Sequence, residues 1–141
     1  MKLTAESRRR LTILRDALLE WSSDKFNMDF WAAREGRPLY SLPDKEECGT
    51  TCCALGLSAL LPEFQRLGLR WSCAAPAFTD GLSTSIGFHA GAAFFGIDLS
   101  DSEYLFSPDS YDETDYECGP RPADVANRID DMLRLGVSED E

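Results

Sequence analysis

Residues 46–61, EECGTTCCALGLSALL, put Cys48, Cys52 and Cys53 within six positions and run straight into an apolar stretch. Read as the start of a buried helix, the stretch makes this a helical chain. Read as a metal or nucleophile site, it makes the chain an enzyme or a metal protein. The packing reading explains more of the residues. Gly49 permits a tight reversal, and Thr50 or Thr51 offers a capping hydroxyl. Cys52, Cys53, Leu55 and Gly56 then enter a helix expected to run from Thr50 to about Leu61, where Pro62 opens a new turn. Cysteine packs as a small apolar side chain and is among the most buried residue types.

Two chemical readings stand beside it. A structural zinc site needs four Cys or His ligands, usually as two separated pairs. Cys48, Cys52, His89 and one of Cys73 or Cys118 supply the atoms but no standard spacing, so no metal or cofactor is expected. A thiol in the first turn of a helix is activated by the helix dipole. That makes Cys52, or Cys48, a candidate nucleophile of a cysteine-dependent hydrolase. His89 is the only histidine available as base, with Asp98 or Asp101 to orient it.

Working outward, a first helix is capped by Thr4 and carries Leu11, Leu14, Leu18 and Trp21 at helical spacing, with Ile13 and Ala17 widening the face. A short helix is expected around Met28 to Arg34, with Phe26, Phe30 and Trp31 packing on the first. Another, PEFQRLG, stops at Gly68. Residues 69–86 lack helical periodicity and read as a loop with one short extended segment at Leu69 to Cys73. Helices follow at Phe88 to Phe95, ended by Gly96, and at Ser100 to Phe106, where Ser100 and Glu103 form a capping box. The last runs from Pro122 to Leu135 with Val125, Ile129, Met132 and Leu133 as its buried stripe. Residues 136–141 read as a frayed acidic tail. The expected architecture is mainly α: one domain, 1–141, of five to seven short helices with one short extended segment.

The chain has 141 residues and a formal net charge of −11, unevenly spread. Residues 1–70 sum to +1, and residues 71–120 hold nine acids and no Lys or Arg. No basic footprint for direct nucleic-acid binding exists beyond Arg8, Arg9 and Arg10. No apolar run reaches bilayer length, the first ten residues lack a secretory core, and five cysteines do not pair off. A soluble, cytoplasmic protein with free thiols is the expectation.

The segment SPDSYDETDYE lacks the alternating ligands and sixth-position glycine of a calcium loop. From residue 98 to 117 acids interleave with aromatics: Asp98, Asp101, Glu103, Tyr104, Asp109, Tyr111, Asp112, Glu113, Asp115, Tyr116 and Glu117 make a candidate partner-binding set. Carboxylates suit Arg and Lys, and tyrosines supply contact area. The expected partner is a basic protein or a ribonucleoprotein complex, with no membrane involved.

CGTTCCALG, FFGIDLSDSEYLFSPDSY and RPADVANRIDDML together resemble a scattered group of short phage and bacterial proteins with a Cys-Gly-Thr-x-x-Cys-x-x-Gly core. The likeness spans residues 46–135. Ile97 departs from the group's FFGL, and His89 falls where the group has no fixed histidine. The resemblance implies a phage or mobile-element setting and carries no catalytic residues. In that setting, an acidic, non-enzymatic inhibitor of the anti-CRISPR or other anti-defence type is the concrete expectation.

Overall fold

The computed structural model describes residues 2–21, 26, 32–34, 37–38, 50–72, 75–81, 83–107, 110–111, 121–135 and 137–138. Helix α1 (Ala5–Glu20) begins as the sequence suggests: the Thr4 hydroxyl oxygen accepts the Ser7 amide hydrogen at 3.0 Å. Leu11, Leu14 and Leu18 are buried, with Ile13, Ala17 and Trp21 partly buried against the core. Its partner is α6 (Pro122–Leu135), which buries Val125, Ala126, Ile129 and Met132. Asp124 draws back over the start of α6 and accepts the Arg121 amide at 2.7 Å. The first turn of α1 lies beside the last turn of α6, where Arg8 Nη1 donates to the Leu133 carbonyl at 2.9 Å. Just beyond the helices, β1 (Lys2–Leu3) pairs in parallel with β8 (Val137–Ser138). The expected frayed tail is therefore anchored at its start by backbone pairing.

Residues 46–61 supply less helix than expected. Thr50–Cys52 forms strand β4, antiparallel to β2 (Ala32–Arg34), with Ala32 opposite Cys52. A two-residue β3 (Arg37–Pro38) flanks β2 on its other side. The helix expected over Met28 to Arg34 is thus extended at Ala32–Arg34, where strand pairing overrides the local helix preference of alanine. Helix α2 (Ala54–Leu60) starts only after Cys53, and each of its seven residues is buried. Pro62 then opens α3 (Pro62–Arg66), and Gly68 follows at φ 104°, a conformation that favours glycine.

The larger correction concerns residues 69–86. Three strands, β5 (Leu69–Ser72), β6 (Ala75–Asp80) and β7 (Ser83–Ile86), form an antiparallel sheet in that order. One short extended segment understates this. Pro76 lies in the central strand, where a missing N–H normally breaks a ladder. It is tolerated because β7 ends opposite Ala77, and the Pro76 carbonyl instead accepts the Gly87 amide at 2.8 Å.

Helix α4 (Phe88–Phe95) packs over this sheet and ends at Gly96, φ 67°. Helix α5 (Leu99–Phe106) starts earlier than expected, with Asp98 as the capping position, so Ser100 lies inside the first turn and no capping box forms. The two helices approach closely at Gly91. A Cβ there would lie 2.8 Å from Ser102 Oγ and 3.1 Å from the Phe106 ring. Ser102 Oγ in turn donates to the Phe88 carbonyl at 2.7 Å. Phe64, Phe94 and Phe95 meet edge to face at the centre of the core, with centroids 4.8–5.7 Å apart. The described residues hold six helices and remain mainly α.

Candidate functional site

Two thiols of the opening stretch, Cys52 and Cys53, face inward. Cys52 and Cys53 are 0% and 1% exposed. Burial pushes the Cys52 thiol well above its usual range, and the neighbouring Cys53 adds to the effect. Cys53 is pushed up to about 11 by burial, against the opposing pull of the Gly56 amide. Thiolate, not thiol, is the attacking species, so both are poor nucleophiles at neutral pH. Cys53 has a structural task as well: its Sγ accepts the Gly56 amide at 3.3 Å and caps α2, a role expected of Thr50 or Thr51.

His89 sits on the exposed side of the first turn of α4, as the sequence suggests. No hydrogen bond joins it to Cys52, Asp98 or Asp101, so the Cys52–His89 pair is not assembled. Cys48, Cys73 and Cys118 lie outside the described residues. Among the described residues, no three His, Cys, Asp or Glu side chains come together as a metal site.

The acidic set divides. Asp98 and Glu103 are exposed and Asp101 is half-buried on α5, with Tyr104, 41% exposed, one turn beyond Asp101. Three-residue spacing puts Asp98, Asp101 and Tyr104 along one side of the helix. Burial, then the Asp98 charge, raises the Asp101 carboxyl above its usual range. None of these three carboxylates forms an ion pair with a described residue. The contrast is with Glu6, held by Arg9 and Arg10, with Asp16 and Asp130, held by Arg15, and with Asp131, held by Arg134. Asp109, Asp112, Glu113, Asp115, Tyr116 and Glu117 lie outside the described residues.

Tyr111 is a correction. It is 3% exposed, and its hydroxyl donates to the Leu105 carbonyl at 2.9 Å, so it is a core residue and not a surface anchor. What holds it there is Arg128 of α6. The guanidinium lies 3.5 Å from the Tyr111 ring centroid and 4.1 Å from that of Tyr104. It donates to the Tyr104 carbonyl at 2.6 Å and to Ser110 O at 2.9 Å.

Composition, which leaves residues 71–120 without a Lys or Arg, does not reveal Arg128. The signal lay in α5 itself, which has no basic residue in its last turn to meet its terminal carbonyls. Helix α4 has the same deficiency and the same remedy: Arg10 Nη1 donates to the Phe94 carbonyl at 2.7 Å and lies over the Phe94 ring. The segregation of charge along the sequence is thus partly undone in space.

Among the described residues no helix is long and apolar enough to cross a membrane. No protein-family model, curated protein or solved structure matches this chain.

Proposed function

We propose that this chain is a non-enzymatic acidic binding protein that docks on a basic, nucleic-acid-handling surface of a larger protein or ribonucleoprotein. One observation carries the reading: Asp98, Asp101 and Glu103, at the start and along α5 beside the exposed Tyr104, form no ion pair with a described residue, while Glu6 and Asp16 of α1 and Asp130 and Asp131 of α6 are taken up by arginines. Carboxylates that outnumber the neighbouring guanidinium of Arg128, with an aromatic among them, steer a cationic partner and give it a contact to bury. The sealed, fully protonated Cys52 and Cys53 favour this over a hydrolase built on Cys52. In the mobile-element setting that the sequence resemblance implies, such a surface would act as an anti-defence inhibitor by occupying the groove where nucleic acid binds.

The test is binding to an arginine-rich polypeptide, with protamine as the probe, across a salt series. Asp98→Asn, Asp101→Asn and Glu103→Gln together should weaken binding roughly tenfold and flatten its salt dependence. Unchanged affinity and slope in this triple variant would remove the proposal.

A further inference from the structure

We infer that Arg128 is the positioning residue of this surface, a latch that ties the corner after α5 to α6 and sets the attitude of Tyr104. Its link to binding rests on the docking reading above; the latch itself rests on geometry. One planar guanidinium is shared between two rings and two carbonyls, those of Tyr104 and Ser110, and Nη1 reaches Ser110 Oγ at 3.0 Å. Ser110 Oγ passes the restraint on, lying 2.8 Å from both the Tyr104 and Ser107 carbonyls that its hydrogen serves. Tyr111 is pinned under the same cation and tied by its hydroxyl to the Leu105 carbonyl. A flat fork of donors is required to do this. Lysine, a point charge with no plane to stack, does not reproduce it.

A positive charge beside an acidic docking surface makes the inference testable by sign. If Arg128 acted only through its charge, removing it would tighten binding to a cationic partner. If it positions the surface, removing it weakens binding although the chain becomes more negative. The experiment compares Arg128→Met, which keeps a long apolar stem, and Arg128→Lys, which keeps the charge. Two readouts are taken: protamine affinity at low salt, and hydrogen exchange at the Ser107 and Ser110 amides, which donate to Glu103 O and Ser107 O.

Both variants should exchange about tenfold faster at these amides, with Leu11 and Leu14 of α1 unchanged, and both should bind protamine severalfold more weakly. Unaltered exchange in both overturns the latch. Tighter protamine binding by Arg128→Met overturns the positioning role. Wild-type protein that ignores protamine overturns the docking reading instead, and the exchange measurement then decides the latch alone. Should Arg128→Met not fold, Arg128→Lys carries both readouts by itself.

Discussion

The sulfur of Cys53 accepts the amide hydrogen of Gly56, three residues on, and so caps α2, the most deeply buried helix among the described residues. Helix starts leave amide donors without partners, and in a helix whose seven residues are all buried a side-chain acceptor is the means of serving one. Cys53→Ala should therefore cost about 1–2 kcal/mol in urea unfolding, from the lost cap and the small void. Cys53→Ser keeps an acceptor at the capping position and should lose less than alanine does. A serine variant as weak as the alanine variant would mean the sulfur matters for its volume and not for its bond.

Thiol burial predicts a labelling pattern. With iodoacetamide at pH 7.5 in native buffer, Cys52 and Cys53, distinguished from Cys48 on the same peptide by fragmentation, should stay unmodified, because both thiols are sealed and their pKa values are raised. In urea above the unfolding midpoint the same peptide should label fully. Rapid native labelling at Cys52, mapped by mass spectrometry, would contradict the packing described here and revive a nucleophilic role.

Gly91 and Ser102 set how closely α4 and α5 approach. In an isolated helix Gly→Ala is favourable by about 1 kcal/mol. At this position the new methyl meets Ser102 Oγ and the Phe106 ring, so Gly91→Ala should instead destabilise by roughly 1–3 kcal/mol. Ser102→Ala removes the nearest atom at the cost of its bond to the Phe88 carbonyl. A double-mutant cycle should show the Gly91→Ala penalty shrinking in the Ser102→Ala background. Strict additivity would place the strain elsewhere.

Two carboxylates give opposite pH dependences. The Asp101 carboxyl is raised by burial and by Asp98, so the folded state holds its proton more tightly than the unfolded chain does. Its ionisation is a penalty present above its folded pKa, which fades as pH falls through that value towards the ordinary 3.8. Asp101→Asn should raise the midpoint of thermal unfolding at pH 7 and remove this acid-side recovery. Glu6 is lowered, first by its hydrogen bond from Arg10. Its contribution is present above 4.5 and lost as pH falls through its lower folded value, and it is small because the group is exposed. Thermal scans from pH 3 to 7 on Asp101→Asn and Glu6→Gln should tilt in opposite senses, and parallel curves would refute the assignment.

Local chemistry made the helix ends readable: Thr4 at the start of α1, Gly96 at the end of α4 and Pro122 at the start of α6 each did what its side chain or backbone dictates. The strands were not readable by the same means. Thr50–Cys52 owes its extended form to Ala32–Arg34, a partner distant in sequence that by itself favours helix. In the three-stranded sheet, small residues and Pro76 mask the alternation along β6. Gly81, at φ 62° directly after Asp80, whose pairing with Ser83 closes β6 and β7, is the hairpin signal in the sequence. For the candidate site, the helix bearing Asp101, Glu103 and Tyr104 is legible in the sequence, while its start at Leu99 with Asp98 as the capping position is not. The burial of Tyr111 was not, because it depends on a cation that the chain supplies only at residue 128.

Arg8, Arg10 and Arg128 each direct a guanidinium at the carbonyl end of a helix formed elsewhere in the chain. Neutral oxygens in partly buried surroundings are far less sensitive to dissolved ions than exposed carboxylates are. Molar sodium chloride should therefore leave the helical framework intact while it releases the proposed cationic partner, which separates release from denaturation in a single titration.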